Sequence, residues 1–490
     1  MIVIKSLNET HLKLDCEDNI ANKLNEYFSF YGKGYQYDWR YKTGKWSGRF
    51  YLFSLTKRTI LKGLLNEILG FCDKNLYPYR LLFDNSEVAF SFIEAKAFIK
   101  TLNLPYELHD FQLNAFIRCV QTGRCVNLMS TSSGKSLVMY VVSRYFNNKK
   151  QLIIVPTVGL VHQLASDFDS YGGIQQGISK IYSGEPVIGL RNVTIAVWRS
   201  ISNIEDSNWI NQWDIISGDE VHTFTAKSLV SIMNGATKAP QRYGWTGSIG
   251  TTKINEMLLT GLFGPIKRLV SSKELMDTGK AAVLTIKILE LVHSQSDRVD
   301  WSVRAGKSKN LVRYRKEIDF VINHEVRNRF ITNLALSLKG NTMILFRLVS
   351  HGQALYKIIT EKADSNRKVF YVDGGVDGEF RDDIRGFVDQ EDNSIIVASI
   401  KTFGTGVNIP RLNNVIAAHP MKGEIDLVQC IGRSLRLAHD KYSATFFDIA
   451  DDLSDVERDN SGLRQMDSRI AIYRREKFHF NKYKIKLEGS

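Results

Sequence analysis

The stretch Met129-Ser130-Thr131-Ser132-Ser133-Gly134-Lys135-Ser136 has the residue types that hold a phosphate. It follows the apolar run RCVNLM and precedes the helix-like LVMYVVSRYF. A strand that ends in small residues and restarts as a helix turns successive backbone N–H groups and a helix N-terminus onto one anion. Lys135 would then reach the outer phosphates of a nucleotide and the Ser136 hydroxyl would hold Mg²⁺. Only the Gly134-Lys135-Ser136 end is strict, because Met129 stands where the phosphate-loop pattern has its first glycine. A chance Gly-Lys-Ser in a polar loop is the alternative, and the flanking strand and helix count against it.

Two further groups suit the same chemistry. Asp219-Glu220 follows the apolar run WDIISG, which puts two carboxylates at the carboxyl end of a buried strand, where open α/β sheets bind ligands. Asp219 can hold Mg²⁺ from the side opposite Ser136, Glu220 can orient and polarise an attacking water, and His222 is placed to sense a neighbouring lobe. In QCIGRSLR, Arg433 and Arg436 stand three apart and so share one helix face. Planar guanidinium groups suit the oxygens of a transferring phosphoryl group. Taken singly, an exposed acidic pair and a salt-bridged helix face would explain these residues equally well.

The elements that must position them alternate. From about Pro105, buried-strand candidates LIIVP, VTIAVW, WDIISGDE and RYGWTG are separated by helical patterns. After a basic, irregular region, VDWSVRAGKSKNLVRYRKE, a second series follows: MILF, KVFYVDG, SIIVAS, NVIAAH and TFFDI. This periodicity predicts parallel sheets covered on both faces, hence two α/β lobes in tandem over residues 96–270 and 271–460. Residues 1–95 read as a small α+β domain, and 461–490 as a terminal helix with a basic tail. A chain of 490 residues fits such a division at roughly 150 residues per domain.

Within the first domain, YGKGYQYDWRYKTGKWSGRFYLFS reads as short strands separated by hairpin glycines. Tyr35, Tyr37, Trp39, Tyr41, Trp46 and Phe50 interleave there with Arg40, Lys42, Lys45 and Arg49. Such a surface can stack bases and neutralise phosphates. The bland alternative is an aromatic face packed on the helix LLNEILGFC. Asp84 with Glu94 and Lys96 imitates the metal site of restriction-type nucleases, but FSFIEAKAFIKTL has helical spacing, so a charged helix surface is the expected reading.

An excess of 65 basic over 52 acidic residues, formally +13, favours a polyanionic partner through counterion release. The five cysteines form no Cys-x-x-Cys pair and have no histidines at zinc-finger spacing, so neither a disulfide framework nor a zinc finger is expected. No segment approaches about 18 uninterrupted apolar residues, and the N-terminus has no secretory pattern. A cytoplasmic location without membrane attachment follows.

The ordered series resembles superfamily 2 helicases and translocases over roughly residues 105–450. Phe111-Gln112 resembles the adenine-reading Q element, STSSGKS motif I, VPTVGLVHQ motif Ia, DEVH motif II and Thr246-Gly247-Ser248 motif III. Phe346 to His351 resembles motif IV, TFGTGVN motif V and QCIGRSLR motif VI. Within that superfamily, GYQYDWRYKTGKWSGRF, the serine-containing loop, FRLVSHGQAL and YVDGGVD resemble a helicase branch of T-even-like bacteriophages.

The resemblance implies two RecA-like lobes and an ATP- and Mg²⁺-dependent, 3′-to-5′ motor. Its implied substrate is branched DNA (Holliday junctions, D-loops, R-loops with their RNA–DNA hybrids, stalled forks) in recombination, replication and repair. It implies ATP held by Phe111, Gln112, residues 130–136, Gly406 and Asn408, with hydrolysis carried by Lys135, Asp219, Glu220, Arg433 and Arg436. Coupling would run through His222, Thr246, Ser248 and Gln429, and DNA backbone contact through Pro156, Thr157, Arg199, His351, Thr402 and Gly404. The implied state is a monomer or weak oligomer. Ser132 replaces a glycine common in motif I, Arg199 stands where relatives often carry glutamine, and Asn408 replaces a frequent acidic residue. The rival readings are the motor subunit of an ATP-dependent restriction enzyme, a non-catalytic nucleic-acid-binding scaffold and an RNA-only helicase.

Overall fold

The computed structural model describes the chain apart from residues 33, 184–188, 207, 251, 307–309, 376–383, 385, 389, 406–408, 410, 422, 436, 438–440, 455–459 and 488–490. It divides into two units, Met1–Val270 and Ser271–Ser490.

The first unit begins with a small mixed sheet. Strands β1 (Ile2–Ser6) and β2 (His11–Asp15) pair antiparallel, and their alternating buried residues, Ile2, Ile4, Leu12 and Leu14, face one core. A separate hairpin follows, β3 (Ser29–Tyr31) with β4 (Arg49–Tyr51). Strands β5 (Thr59–Leu61) and β6 (Tyr79–Leu81) complete the sheet in the order β5-β2-β1-β6. The aromatic stretch corrects the expectation of several short strands. Between β3 and β4 the chain folds as a 3₁₀ turn, Tyr35–Tyr37, and a one-turn helix, Trp39–Lys42, started by the Asp38 carboxylate accepting from the Arg40 N–H. Asp38 is a favoured helix N-cap, and here that preference overrides the strand preference of the aromatic residues around it.

The rest of the unit is a seven-stranded, all-parallel sheet. Its strands are β7 (Arg124–Met129), β8 (Gln151–Val155), β9 (Ile178–Ile181), β10 (Val193–Val197), β11 (Ile215–Asp219), β12 (Gln241–Thr246) and β13 (Ile266–Val270). Their spatial order is β13-β7-β12-β11-β8-β10-β9. Leu152, Ile153, Ile154 and Val155 are all buried, as expected of a central strand covered on both faces. Each such side chain contributes about 2 kcal/mol by leaving water.

The small sheet is docked tightly on this lobe. The Glu9 carboxylate takes Lys62 at 2.9 Å and Arg124 at 3.3 Å, and the Glu9 N–H donates to the Thr237 carbonyl. Buried Arg242 donates to the Thr10 hydroxyl at 3.1 Å and to the Met233 carbonyl at 3.0 Å. Gly63 lies so close to the Thr260 backbone that a Cβ would stand 2.1 Å from its carbonyl oxygen.

The second unit is also a seven-stranded parallel sheet. Its strands are β14 (Val283–Val292), β15 (Thr342–Phe346), β16 (Val369–Val372), β17 (Ile395–Ser399), β18 (Asn414–Ala417), β19 (Ser443–Asp452) and β20 (His479–Lys486). They run in the order β16-β17-β15-β18-β19-β14-β20.

Two expectations change in this unit. The basic region before the second series is not irregular: it contains the helices Gln295–Ala305 and Asn310–Asn323. The basic tail is an edge strand, β20, parallel to β14, with Lys482 and Lys484 both on the buried Glu290 carboxylate. Lysines on an exposed edge discourage further strand pairing. The helix Ser461–Arg475 is held by buried Arg469, whose Nε donates to Asp448 at 2.9 Å. The chain is therefore an α/β protein with two RecA-like parallel-sheet lobes and a small α+β N-terminal domain.

Candidate active site

The phosphate loop leaves β7 and enters the helix Lys135–Tyr145. Two of its residues turn left-handed, Ser132 with φ 69° and Gly134 with φ 73°. Gly134 is required twice over, because a Cβ there would also stand 2.4 Å from Gln112 Nε2. That glutamine is buried and bonded through both ends of its amide. Its Nε2 donates to the Ser133 carbonyl at 2.9 Å, and its Oε1 accepts from the His109 N–H at 2.8 Å. Phe111 beside it is half-buried, with its ring 5.4 Å from that of His109. Lys135 reaches back toward the strand end, its Nζ 3.4 Å from the Met129 carbonyl. The hydroxyls of Ser130 and Ser133 are buried with no hydrogen-bond partner among the described residues. Thr131 packs against Gly247, so the loop abuts the Thr246-Gly247-Ser248 turn.

The acidic pair is delivered by register. Strand β11 lies between β12 and β8, with Asp219 beside Trp245 and Gly218 beside Ile154, while Thr246 lies beside Leu128 of β7. The carboxyl ends of four adjacent strands thus assemble residues distant in sequence. Burial and the charge of Glu220 push the Asp219 carboxyl up to about 6, against the opposing pull of Lys135. Glu220 is left-handed at φ 49°. Its Oε2 lies 3.3 Å from both His222 Nδ1 and the Thr246 hydroxyl. The same hydroxyl is 3.1 Å from His222 Nδ1 and 2.9 Å from the Ser248 carbonyl. Loop, acidic pair and turn form one connected array, with the Ser248 hydroxyl buried and unpartnered among the described residues.

Other expected site residues are placed as follows. Pro156 and Thr157 follow β8 at the same sheet edge, and Thr157 caps the helix Val158–Ser170 by accepting from the Leu160 N–H. Arg199 is exposed just past β10, over the Trp198 ring. In the second unit, two residues expected to contact a nucleic-acid strand are buried. His351 is 2 % exposed and bonded to Asn328 at 3.1 Å, and burial with nearby Arg327 lowers its imidazole to about 3, so the ring is neutral. Thr402 is buried against the Ser399 hydroxyl at 2.9 Å. Each side chain turns inward to a buried polar partner, and His351 Nδ1 is left without a hydrogen-bond partner among the described residues.

Gln429 is half-buried on the helix Glu424–Ser434, which also carries Arg433, and Gly404 lies within Ile400–Thr405. The Arg433 side chain, Gly406, Asn408 and Arg436 lie outside the described residues.

One site residue has no sequence signal. Tyr171, at the end of the helix Val158–Ser170, places its hydroxyl 3.0 Å from that of Ser136. It is 35 residues downstream of its partner, in no recognisable pattern.

The Asp84, Glu94 and Lys96 group has the local bonding expected of a charged helix surface. Glu94 closes a capping box with Ser91 on the helix Phe92–Thr101, and exposed Asp84 accepts from the Ser86 N–H.

Comparison with known proteins follows these divisions. Residues 2–84 match the family described as DNA helicase UvsW, N-terminal; residues 105–249 match type III restriction enzyme, res subunit; residues 326–438 match helicase conserved C-terminal domain. The chain is 31% identical over 467 residues to the ATP-dependent DNA helicase uvsW of Enterobacteria phage T4, covering 90% of this chain and 89% of that one. The crystal structure of T4 UvsW matches with a TM-score of 0.51 at 27% identity, over 99% of this chain and 100% of that one. The type ISP restriction-modification enzyme LlaBIII bound to DNA shares the fold, with a TM-score of 0.59 at 13% identity over 85% of this chain and 34% of that one. With identity to the phage T4 helicase running through all three segments, this chain belongs to the UvsW family of superfamily 2 helicases.

Proposed function

We propose that this chain is an ATP-driven DNA helicase that unwinds or branch-migrates branched DNA, including forks, Holliday junctions, D-loops and R-loops, in phage recombination, replication and repair. The observation that carries the ATPase reading is the connected array around the phosphate loop. Unpartnered buried hydroxyls at Ser130 and Ser133 adjoin a loop whose shape is enforced by Gly134 and Gln112. The Asp219-Glu220 pair ends a strand two positions from β7 in the same sheet.

A divalent cation fits this chemistry. Asp219 is held up to about 6 by burial and a second carboxylate, the condition of a site short of positive charge. Ser136 and Asp219 would hold Mg²⁺, which supplies neutralisation of the phosphate charge. Lys135 binds the outer phosphates. Glu220, oriented by Thr246 and His222, holds the attacking water and accepts its proton. Ser248 and Thr246 report the state of the γ-phosphate, while Arg433 and Arg436 stabilise charge on the transferring group. Pro156, Thr157 and Arg199 are assigned to the DNA backbone, which suits a motor indifferent to sequence.

The aromatic hairpin of the small domain supports a further DNA contact. Tyr37 is 80 % and Trp39 61 % exposed, and Lys45, Arg40 and Arg49 lie over the rings of Trp39, Trp46 and Tyr31. Exposed rings beside cations can stack on bases while the charges meet phosphates.

The test is ATP turnover with and without DNA, followed by a panel of forks, four-way junctions, R-loops and linear duplex. The proposal expects DNA-stimulated turnover lost in Lys135→Ala and ATP-dependent processing of the branched substrates. Turnover unchanged by Lys135→Ala would overturn the site assignment, Mg²⁺-dependent cleavage of linear duplex would favour a restriction motor, and stimulation by RNA alone an RNA helicase.

A further inference from the structure

We propose that His293, Asp297 and His324 form a site for one divalent ion of the zinc class, bracing the helical segment of the second unit to its sheet. None of the three belongs to the helicase motifs. His293 is the first residue past β14, Asp297 lies in the first turn of the helix Gln295–Ala305, and His324 caps the helix Glu325–Ser337. One ligand atom from each lies within 4.8 Å of the others. His324 Nε2 is 3.1 Å from Asp297 Oδ1, and His293 Nδ1 is 4.0 Å from Asp297 Oδ2. Bonds of about 2.0–2.1 Å to a tetrahedral ion put ligand atoms roughly 3.3 Å apart. Side-chain adjustments on the order of an ångström would close the site.

The hydrogen bonding of His293 is the strongest argument. Its side chain has no exposure, and its Nε2 lies 3.0 Å from Asp451 Oδ1. Asp451 is itself paired with buried Arg327, at 2.7 Å. The carboxylate can only accept, so Nε2 carries a proton, and in the neutral ring Nδ1 holds a lone pair. That Nδ1 is buried with no hydrogen-bond partner among the described residues, and it faces Asp297 and His324. A carboxylate fixing the far nitrogen of a histidine whose near nitrogen is free is the outer-shell arrangement of metal-binding histidines.

The other two donors are compatible. Asp297 Oδ2 is oriented by the Ser294 hydroxyl at 2.7 Å, leaving Oδ1 toward His324. Ligation through His324 Nε2 moves its proton to Nδ1 and gives up the long 3.3 Å cap bond from the Arg327 N–H. Side-chain exposures of 27% at Asp297 and 11% at His324 admit the ion and a water as fourth ligand. Two imidazoles and one carboxylate select zinc, cobalt or nickel over magnesium, so this site is chemically distinct from one for Mg·ATP.

The experiment is titration of the tag-free, full-length, chelator-treated protein with Co²⁺, read by visible absorption, followed by competition with Zn²⁺. One equivalent of Co²⁺ with a tetrahedral nitrogen–oxygen spectrum, displaced by Zn²⁺, is expected, and Zn²⁺ should raise the melting temperature by several degrees. Asp297→Asn preserves the helix cap and should weaken binding at least about tenfold. His324→Gln should do the same, a second variant that leaves the buried His293–Asp451 pair intact. Absence of stoichiometric binding, wild-type affinity in both variants, or a thiolate charge-transfer band would overturn the proposal.

Discussion

The side-chain amide of Gln112 grips the phosphate loop: its Nε2 donates to the Ser133 carbonyl at 2.9 Å while its Oε1 accepts from the His109 N–H at 2.8 Å. Both ends of the amide position protein. Gln112→Glu keeps the shape but sets a carboxylate against the Ser133 carbonyl, and a buried bond to that carbonyl is lost at about 1–3 kcal/mol. ATP affinity should fall roughly tenfold or more. Nucleotide titration checks this, and unchanged affinity would show that the loop keeps its shape without the glutamine.

Ser132 occupies a left-handed position, φ 69°, within the phosphate loop. A non-glycine residue there costs about 1–2 kcal/mol. Ser132→Gly relieves that cost, so the unfolding free energy of the first unit should rise by at most about 1 kcal/mol once the added chain entropy of glycine and the loss of the serine's own interaction are deducted. Thermal or denaturant unfolding measures it. A destabilised variant would mean that the serine hydroxyl makes a contact worth more than the backbone strain.

Much of this was legible from the chain and some was not. Glycine-lysine-serine, the acidic pair after an apolar run and the order of the buried strands are local patterns, so each declares itself within a few residues. Tyr171 and the Gln112–Ser133 bond are tertiary, joining elements whose sequences carry no mutual signal. His351 illustrates the opposite failure. Its place in a motif pointed to a surface, but whether a polar residue near a strand end turns in or out depends on a partner such as Asn328, which the local sequence does not reveal. The aromatic hairpin has the residue types of strands, but β propensity is a weak prior that one well-placed cap, Asp38, overrides.

Asp219 couples stability to pH. Its carboxyl titrates at about 6 in the fold and near 3.8 when unfolded, so the native state binds the extra proton between these values. Without nucleotide, stability should fall as pH rises from about 4 to about 6 and stay lower above that, by at most about 3 kcal/mol from this group. Asp219→Asn should raise the nucleotide-free melting temperature at pH 8 while lowering ATP turnover at least about a hundredfold. Calorimetry at two pH values, with a turnover assay, checks both signs.

The exposed aromatic residues of the hairpin offer a separation of function. Tyr37→Ala with Trp39→Ala removes two rings that contribute little to the core, being 80 % and 61 % exposed, so the melting temperature should stay within a degree or two of wild type. Loss of two stacking platforms should weaken DNA binding by about 1–3 kcal/mol per ring engaged. Fluorescence anisotropy with a labelled fork reads the change. Wild-type affinity would return the hairpin to a purely structural role.

Docking of the small domain on the first lobe rests on shape as much as on charge. A Cβ at Gly63 would meet the Thr260 carbonyl at 2.1 Å and the Gly261 carbonyl at 2.7 Å, both backbone atoms that cannot swing aside. Gly63→Ala should cost about 1–3 kcal/mol, as overpacking does. Glu9→Gln acts at the same seam by charge. The partners Lys62 and Arg124 hold the Glu9 carboxyl below the usual carboxylate range, so its contribution is present above the unfolded value near 4.5 and is lost as pH falls through the lower folded value. Glu9→Gln should therefore lower the melting temperature at pH 7 and make less difference once the pH has fallen through the folded-state titration of Glu9. Removing residues 1–84 altogether should do more than either, because Arg242 would lose Thr10 and the Gly261 surface would lose Leu61. A truncated chain as stable as the full one would mean that the seam is not part of the lobe's folding unit.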